Sequence, residues 1–282
     1  MIMLKKYSIL LFALFTTLVF SQHNQEILVE YEYTFVEDSL NRNNVKSETM
    51  QLYILPEQTV FIGKNLYIRD SIHHHRTNNN FVLKNAVNGV IKVDAINQGI
   101  PKTDLRYRII HARGKDNYTI HTTLGPTKFS FDDQMELLEW KLSNEREVFL
   151  GYNIQKAEVQ AFGRKWEVWY TEDIPLSYGP YKFHGLPGLI VKVQDSERFF
   201  SYELKGLKKL NYQPEFHVSE KTYHISKKDY TDFVAKYEAN PLESLNFIKF
   251  SVQNENDFLQ RKLRVIEKNN NFIEKDLKLR LK

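Results

Sequence analysis

The chain contains no cysteine in its 282 residues. That absence excludes a disulfide framework, a thiol nucleophile, a cysteine zinc knuckle and the acceptor for a bacterial lipid anchor, so stability has to come from packing. Other signatures are missing as well. There is no G-x-S-x-G elbow, no H-E-x-x-H and no phosphate-cradling glycine loop. Charge of one sign is also scarce: 39 Lys and Arg against 35 Asp and Glu leave +4. Nucleic-acid binding, which draws on clustered phosphate-neutralising cations, is therefore not expected. Neither an internal repeat nor a linker-like stretch divides the chain.

Long apolar runs are limited to one. Lys5 and Lys6 precede an apolar stretch from Tyr7 to Phe20, and Val19-Phe20-Ser21 offers a small-residue cleavage site. The run is shorter than the about 20 residues a membrane-spanning helix needs. The expected arrangement is a signal peptide over 1–21, cleaved after Ser21, and a single domain over 22–282. The product is then periplasmic or secreted, with no membrane span after cleavage. The leader carries two lysines and no acid, so its loss lowers the net charge from +4 to +2.

What the chain does have is aromatic residues, 19 Phe and 16 Tyr, which suit pleated, half-buried faces. Val29, Tyr31, Tyr33 and Phe35 alternate with polar residues, as a strand with one buried face does. Met50–Leu55 and Thr59–Ile62 read as a hairpin, and Val90–Val93, Leu105–His111 and Tyr118–Leu124 as further strands. A hairpin centred on Gly114 to Asn117 sets His111 opposite His121. Met135–Leu142 reads as an amphipathic strand ending at Trp140 and Leu142. Ile154–Phe162 and Lys165–Thr171 form the clearest hairpin, with Gly163-Arg164 as a Gly-first turn of the II′ kind. In it Trp166, Val168 and Tyr170 share one face and Trp169 the other. Phe200, Tyr202 and Leu204 continue the sheet.

The last quarter changes period. Ser226 to Asp229 is a capping-box-like start, and Tyr230, Phe233, Val234 and Tyr237 follow at helical spacing until Asn240-Pro241. Phe258–Glu267 is a second helical stretch, broken by Asn269-Asn270-Asn271. The predicted fold is mainly β (α+β): a large curved antiparallel sheet over about 26–210, half-barrel-like, with C-terminal helices from about 226–282 packed on it. In outline this resembles periplasmic lipoprotein-carrier half-barrels.

The stretch Gly179–Asp195, GPYKFHGLPGLIVKVQD, is the most organised part of the chain. Glycine and proline punctuate its first half, and Leu189–Val193 reads as a strand. Pro187-Gly188 suits the centre of a type II turn, with Gly188 taking φ > 0. Gly185-Leu186-Pro187-Gly188-Leu189-Ile190 resembles the signature hexapeptide of the GLPGLI family, exported proteins of Bacteroidota-type bacteria. Gly151-Tyr152, Lys156-Ala157, Gly163-Arg164, Trp169-Tyr170, Ile174-Pro175, Gly179 to Phe183 and Asp195 resemble the family pattern too. The likeness spans roughly Trp140 to Asp195. Ile154 stands where many relatives carry cysteine, so no thiol-based role transfers. The resemblance implies export; the family has no established activity.

Candidate chemistry is sparse. Asp132-Asp133 and Glu172-Asp173 are neighbours in sequence, and in a strand neighbours point to opposite faces, which does not build a two-carboxylate hydrolase. His73-His74-His75 sit in a polar interval, Arg69–Asn80, that reads as an exposed loop without a complete ligand set, so no metal or cofactor is expected. Trp166, Trp169 and Tyr170 either line a groove or pack a core. No catalytic residue is assigned. The hexapeptide reads as an architectural lock, and Trp169, Tyr181 and His184 as a binding surface; in the rival reading Gly179–His184 is a binding lip. The expected function is a non-catalytic envelope module for a hydrophobic ligand or a protein partner. The alternatives are a structural accessory of an outer-membrane complex or an enzyme of unrecognised type.

Overall fold

The computed structural model describes residues 26–78, 99–219, 221–242 and 254–275. The expected strand at Val90–Val93 lies outside them. Among the described residues twelve strands form one open sheet. The first six are β1 (Ile27–Val36), β2 (Val45–Ile54), β3 (Gln58–Gly63), β4 (Arg108–Ala112), β5 (Asn117–Leu124) and β6 (Thr127–Gln134). They are followed by β7 (Lys141–Phe149), β8 (Tyr152–Ala161), β9 (Arg164–Thr171), β10 (Leu189–Asp195), β11 (Phe200–Lys209) and β12 (Thr222–His224). Among the described residues three helices accompany them: α1 (Lys64–Asn78), α2 (Lys227–Ala239) and α3 (Glu255–Lys268).

The strand order, β12-β6-β5-β4-β3-β2-β1-β11-β10-β9-β8-β7, describes two antiparallel meanders, β1 to β6 and β7 to β11. They join where β1 pairs with β11, Tyr33 opposite Tyr202 and Phe35 opposite Phe200. The short β12 adds in parallel to β6, which makes the sheet mixed. Alternation along β1 puts Val29, Tyr31, Tyr33 and Phe35 on one face. There the rings of Tyr33 and Tyr202 stack at 4.3 Å, and Phe61 meets Tyr202 edge-on at 6.0 Å. β3 and β11 are three strand steps apart, roughly 14 Å in a flat sheet, so the sheet curls towards this face. The curl makes it the main core. The segments 135–140, 172–188 and 272–275 fill it.

The second face carries a smaller core of Leu28, Tyr53, Leu55, Val60, Ile62, Leu66 and Leu210. It is covered by α1, which contributes Leu66 and the half-buried Tyr67, and by Phe216. This helix corrects the loop expected over Arg69–Asn80 as far as Asn78, the last two residues lying outside those described. It contains no Gly or Pro, and it docks through the buried Leu66 and the half-buried Tyr67, while most of its other residues are polar. Its His74 ring stacks on His217 at 3.7 Å.

α2 starts where expected, with Ser226 Oγ accepting from Asp229 N. It lays Tyr230 on Phe131, with ring centroids 4.8 Å apart. α3 has no fully buried residue. The asparagines after it do more than end the helix. Ser39 N donates to Asn270 Oδ1 (2.9 Å), and Asn271 Nδ2 donates to Val36 O (2.8 Å), tying the chain to the end of β1.

Three local expectations are corrected. His111 faces Tyr118, not His121, because the turn closes early with Lys115 N donating to Ala112 O; His121 stands opposite Arg108. Met135–Trp140 is an irregular crossing segment, and β7 begins only at Lys141. In the β8/β9 hairpin the central turn residues are Phe162 and Gly163, both at positive φ (57° and 69°), which is the I′ geometry rather than II′.

Candidate functional site

The loop between β9 and β10 crosses the main core face and carries the hexapeptide. Its backbone is tied internally: Leu189 N donates to Ile174 O (3.0 Å), Ile190 N to Tyr178 O (3.0 Å) and Phe183 N to Pro180 O (3.1 Å). Gly188 does not occupy the positive-φ region. It is needed for closeness instead, because a Cβ there would lie 2.0 Å from the Thr171 carbonyl oxygen. The positive φ in the hexapeptide belongs to Gly185, at 91°. Leu186, Leu189, Ile190 and Val191 are all buried, and β10 bulges between Ile190 and Lys192.

This loop delivers Lys182 into the interior, where its side chain is 4% exposed. Lys182 Nζ donates to Asp133 Oδ2 (2.5 Å) on β6 and to Glu274 Oε1 in the C-terminal segment. Glu274 also accepts from the Tyr181 hydroxyl (2.5 Å), and Asp133 accepts from Lys227 at the start of α2. Burial alone raises the Asp133 carboxyl, but the Lys182 and Lys227 ammoniums outweigh it and hold it below the usual carboxylate range. For Lys182 burial works downwards, and Glu274 and Asp133 overcome it, so its pKa stands above that of an ordinary lysine. A second buried cation pins the same segment. Arg164 Nη1 donates to Asp195 Oδ2 (3.0 Å), and its Nη2 donates to Phe272 O (2.7 Å) and to Asn271 Oδ1 (2.7 Å).

Between loop and sheet lies a cavity of about 250 Å³. Leu52, Phe61, Ile109 and Phe183 give it apolar walls; Tyr118, Tyr181, His111 and His184 add polar atoms. Burial lowers the His184 pKa, so the ring is neutral at pH 7. Its Nδ1–H donates to Lys182 O (2.9 Å), which leaves Nε2 as an acceptor. Trp140 Nε1 donates to His184 O (2.9 Å), fastening the crossing segment over the loop. The arrangement can hold a small apolar group beside a few polar atoms. Its cations are consumed by carboxylates of the chain itself.

The expected binding surface of Trp169, Tyr181 and His184 is divided. Tyr181 is buried and, with His184, lines the cavity, whereas Trp169 is half-buried on the opposite face of β9, with Lys156 Nζ 5.9 Å from its ring. Asp132 and Asp133 do point to opposite faces, Asp132 towards Thr119 (2.8 Å) and Asp133 inwards. Sequence reasoning did not single out Lys182, Glu274 or Arg164. The available signal for Lys182 was one lysine among Pro, Tyr, Phe and His in a Gly-bounded loop.

Residues 163–192 match the model of a family described as a protein of unknown function (Porph_ging). That span holds β9, the loop and the first residues of β10. Similar solved structures include PNGF-II in a P21 and in a C2 crystal form, 17% and 16% identical, each with a TM-score of 0.50. Both cover 76% of this chain. The chain spans about a third of theirs, 34% and 33%, so the likeness is one of fold. No curated protein matches the sequence.

Proposed function

We propose that this is an exported, non-catalytic binding module of the GLPGLI type, whose cavity takes a small apolar group. That group is the ring or chain end of an apolar ligand, or one apolar side chain of an envelope protein partner. The carrying observation is the cavity of about 250 Å³ between the sheet and the hexapeptide loop, walled by Leu52, Phe61, Ile109 and Phe183. Ligand sites are commonly apolar hollows with a few placed polar atoms, and this one lies just below the usual size range, which suits a small group. The charges nearby support binding over catalysis. Lys182 and Lys227 neutralise Asp133 and Glu274, so none is left as a free acid, base or nucleophile. The basic and apolar leader supports export.

Calorimetric titration with indole and with N-acetyl-phenylalanine amide tests the reading, the first standing for a ring ligand and the second for an apolar side chain. Saturable one-to-one uptake of either is expected. Thr59→Phe, which fills the cavity from its half-buried wall, should abolish it. Absence of saturable uptake of both probes would contradict the proposal.

A further inference from the structure

The second face of the sheet carries a pocket unrelated to the apolar cavity. Arg108 on β4 points away from the main core, because its neighbours Tyr107 and Ile109 point into it. His121 stands directly opposite on β5. These two, with Asp70 of α1, Arg106, Lys128 and His217, surround a space of about 50 Å³ that Ser219 and Thr222 also line. A single water needs about 15 Å³, so the space suits a group of several heavy atoms and no larger ligand.

The charges do not balance. Asp70 is the only carboxylate among the described lining residues, against Arg106, Arg108 and Lys128. Arg108 is 6% exposed, and its Nη2 donates to Asp70 Oδ2. Its Nη1 is buried without a hydrogen-bond partner, and so is His121 Nδ1. Buried donors are normally satisfied, and a guanidinium presents its free N–H groups in a fixed plane suited to carboxylate and phosphate oxygens. Burial lowers the Arg108 pKa against the pull of Asp70, so one carboxylate does not compensate for desolvation there. Burial, with the nearby Arg108 charge, pushes His121 down to about 4, so at neutral pH the ring is uncharged, and its Nδ1–H tautomer offers a donor. Water could accept from Arg108 Nη1 but would not offset two surplus positive charges.

We propose that this pocket binds a small oxyanion, a phosphate group or a carboxylate, which accepts from Arg108 Nη1 and His121 Nδ1 and is drawn in by Arg106 and Lys128. Asp70 holds the guanidinium in place from the other side. Because the pocket and the apolar cavity lie on opposite faces, the two readings stand or fall separately.

The test is calorimetric titration of the full chain, purified without phosphate, with sodium phosphate and with sodium acetate against sodium chloride of equal ionic strength. Saturable one-to-one binding is expected for at least one oxyanion and none for chloride. Phosphate binding tighter than acetate identifies a phosphate group as the natural ligand; acetate binding as tight or tighter identifies a carboxylate. Arg108→Gln should weaken binding at least about tenfold, as expected for a lost hydrogen bond to a charged group. Arg106→Ala and Lys128→Ala remove exposed side chains that the fold does not need, and each should weaken it about two- to fivefold. If Arg108→Gln does not fold, these two variants decide. The proposal is overturned if neither oxyanion binds better than chloride, or if binding survives both exposed-residue changes undiminished.

Discussion

Two buried cations, Lys182 and Arg108, meet their surroundings in opposite ways. Lys182 has a carboxylate on each side, Asp133 and Glu274, drawn from β6 and the C-terminal segment. Arg108 has Asp70 alone, and one of its amino groups is unpaired. The two aspartates show the difference. Burial pushes both upwards; two ammoniums reverse it at Asp133, whereas at Asp70 the neighbouring cations do not, and its pKa stays raised. A cation satisfied by the chain fastens distant segments together. A cation left with free N–H groups beside a pocket is arranged to meet something from outside.

The comparison is sharpened most by Gly188→Ala. Its Cβ would lie 2.0 Å from Thr171 O and 2.5 Å from the Thr171 carbonyl carbon. Backbone against backbone cannot yield cheaply, so a loss on the order of 5 kcal/mol or more is expected, read as absence of a cooperative melt. Next comes Lys182→Met, which leaves the buried Glu274 without its ammonium partner and Asp133 with Lys227 alone, and should cost about 3–5 kcal/mol in denaturant unfolding. Adding Glu274→Gln should return part of that loss. A double variant no more stable than the single one would show that the ion pairs are incidental to the fold.

The pH dependence separates the two aspartates. Asp133 titrates below its unfolded value of about 3.9 when folded, so its contribution is present above that value and lost as pH falls through the lower folded value. Asp70 is raised, so the folded chain takes up its proton first, and its contribution grows as pH falls towards about 4. Melts between pH 3 and 7 should show Asp133→Asn flattening the acid loss and Asp70→Asn removing an opposing gain. The smallest effect is expected from Gly185→Ala. There the nearest contact, Trp140 Nε1, would be an unstrained 3.6 Å away and only the positive φ is penalised, for about 1 kcal/mol.

Much of the sheet was legible because alternation survives in β1, β9 and β11, where one face is core and the other wet. β6 carried the same signal in Phe129 and Phe131 and went unused. β7 carried none, since as an edge strand it is exposed almost throughout. α1 was hidden because its burial rests mainly on Leu66. The expected φ at Gly188 failed for a different reason. Pro-Gly has a local turn preference, but the close approach of Thr171 comes from tertiary packing. The Lys182 site was beyond local reading altogether. Asp133 and Glu274 are 49 and 92 positions away from the lysine they pair with. Only the curl of the sheet brings them together.

The most direct measurement sets the two cations side by side: thermal melts of wild type, Lys182→Met and Arg108→Gln, each with and without saturating phosphate. Lys182→Met should melt far below wild type yet gain from phosphate as wild type does. Arg108→Gln should lie closer to wild type and gain nothing. Equal losses in the two variants, or a phosphate gain that survives in Arg108→Gln, would contradict the division between a cation that locks the fold and one that receives a ligand.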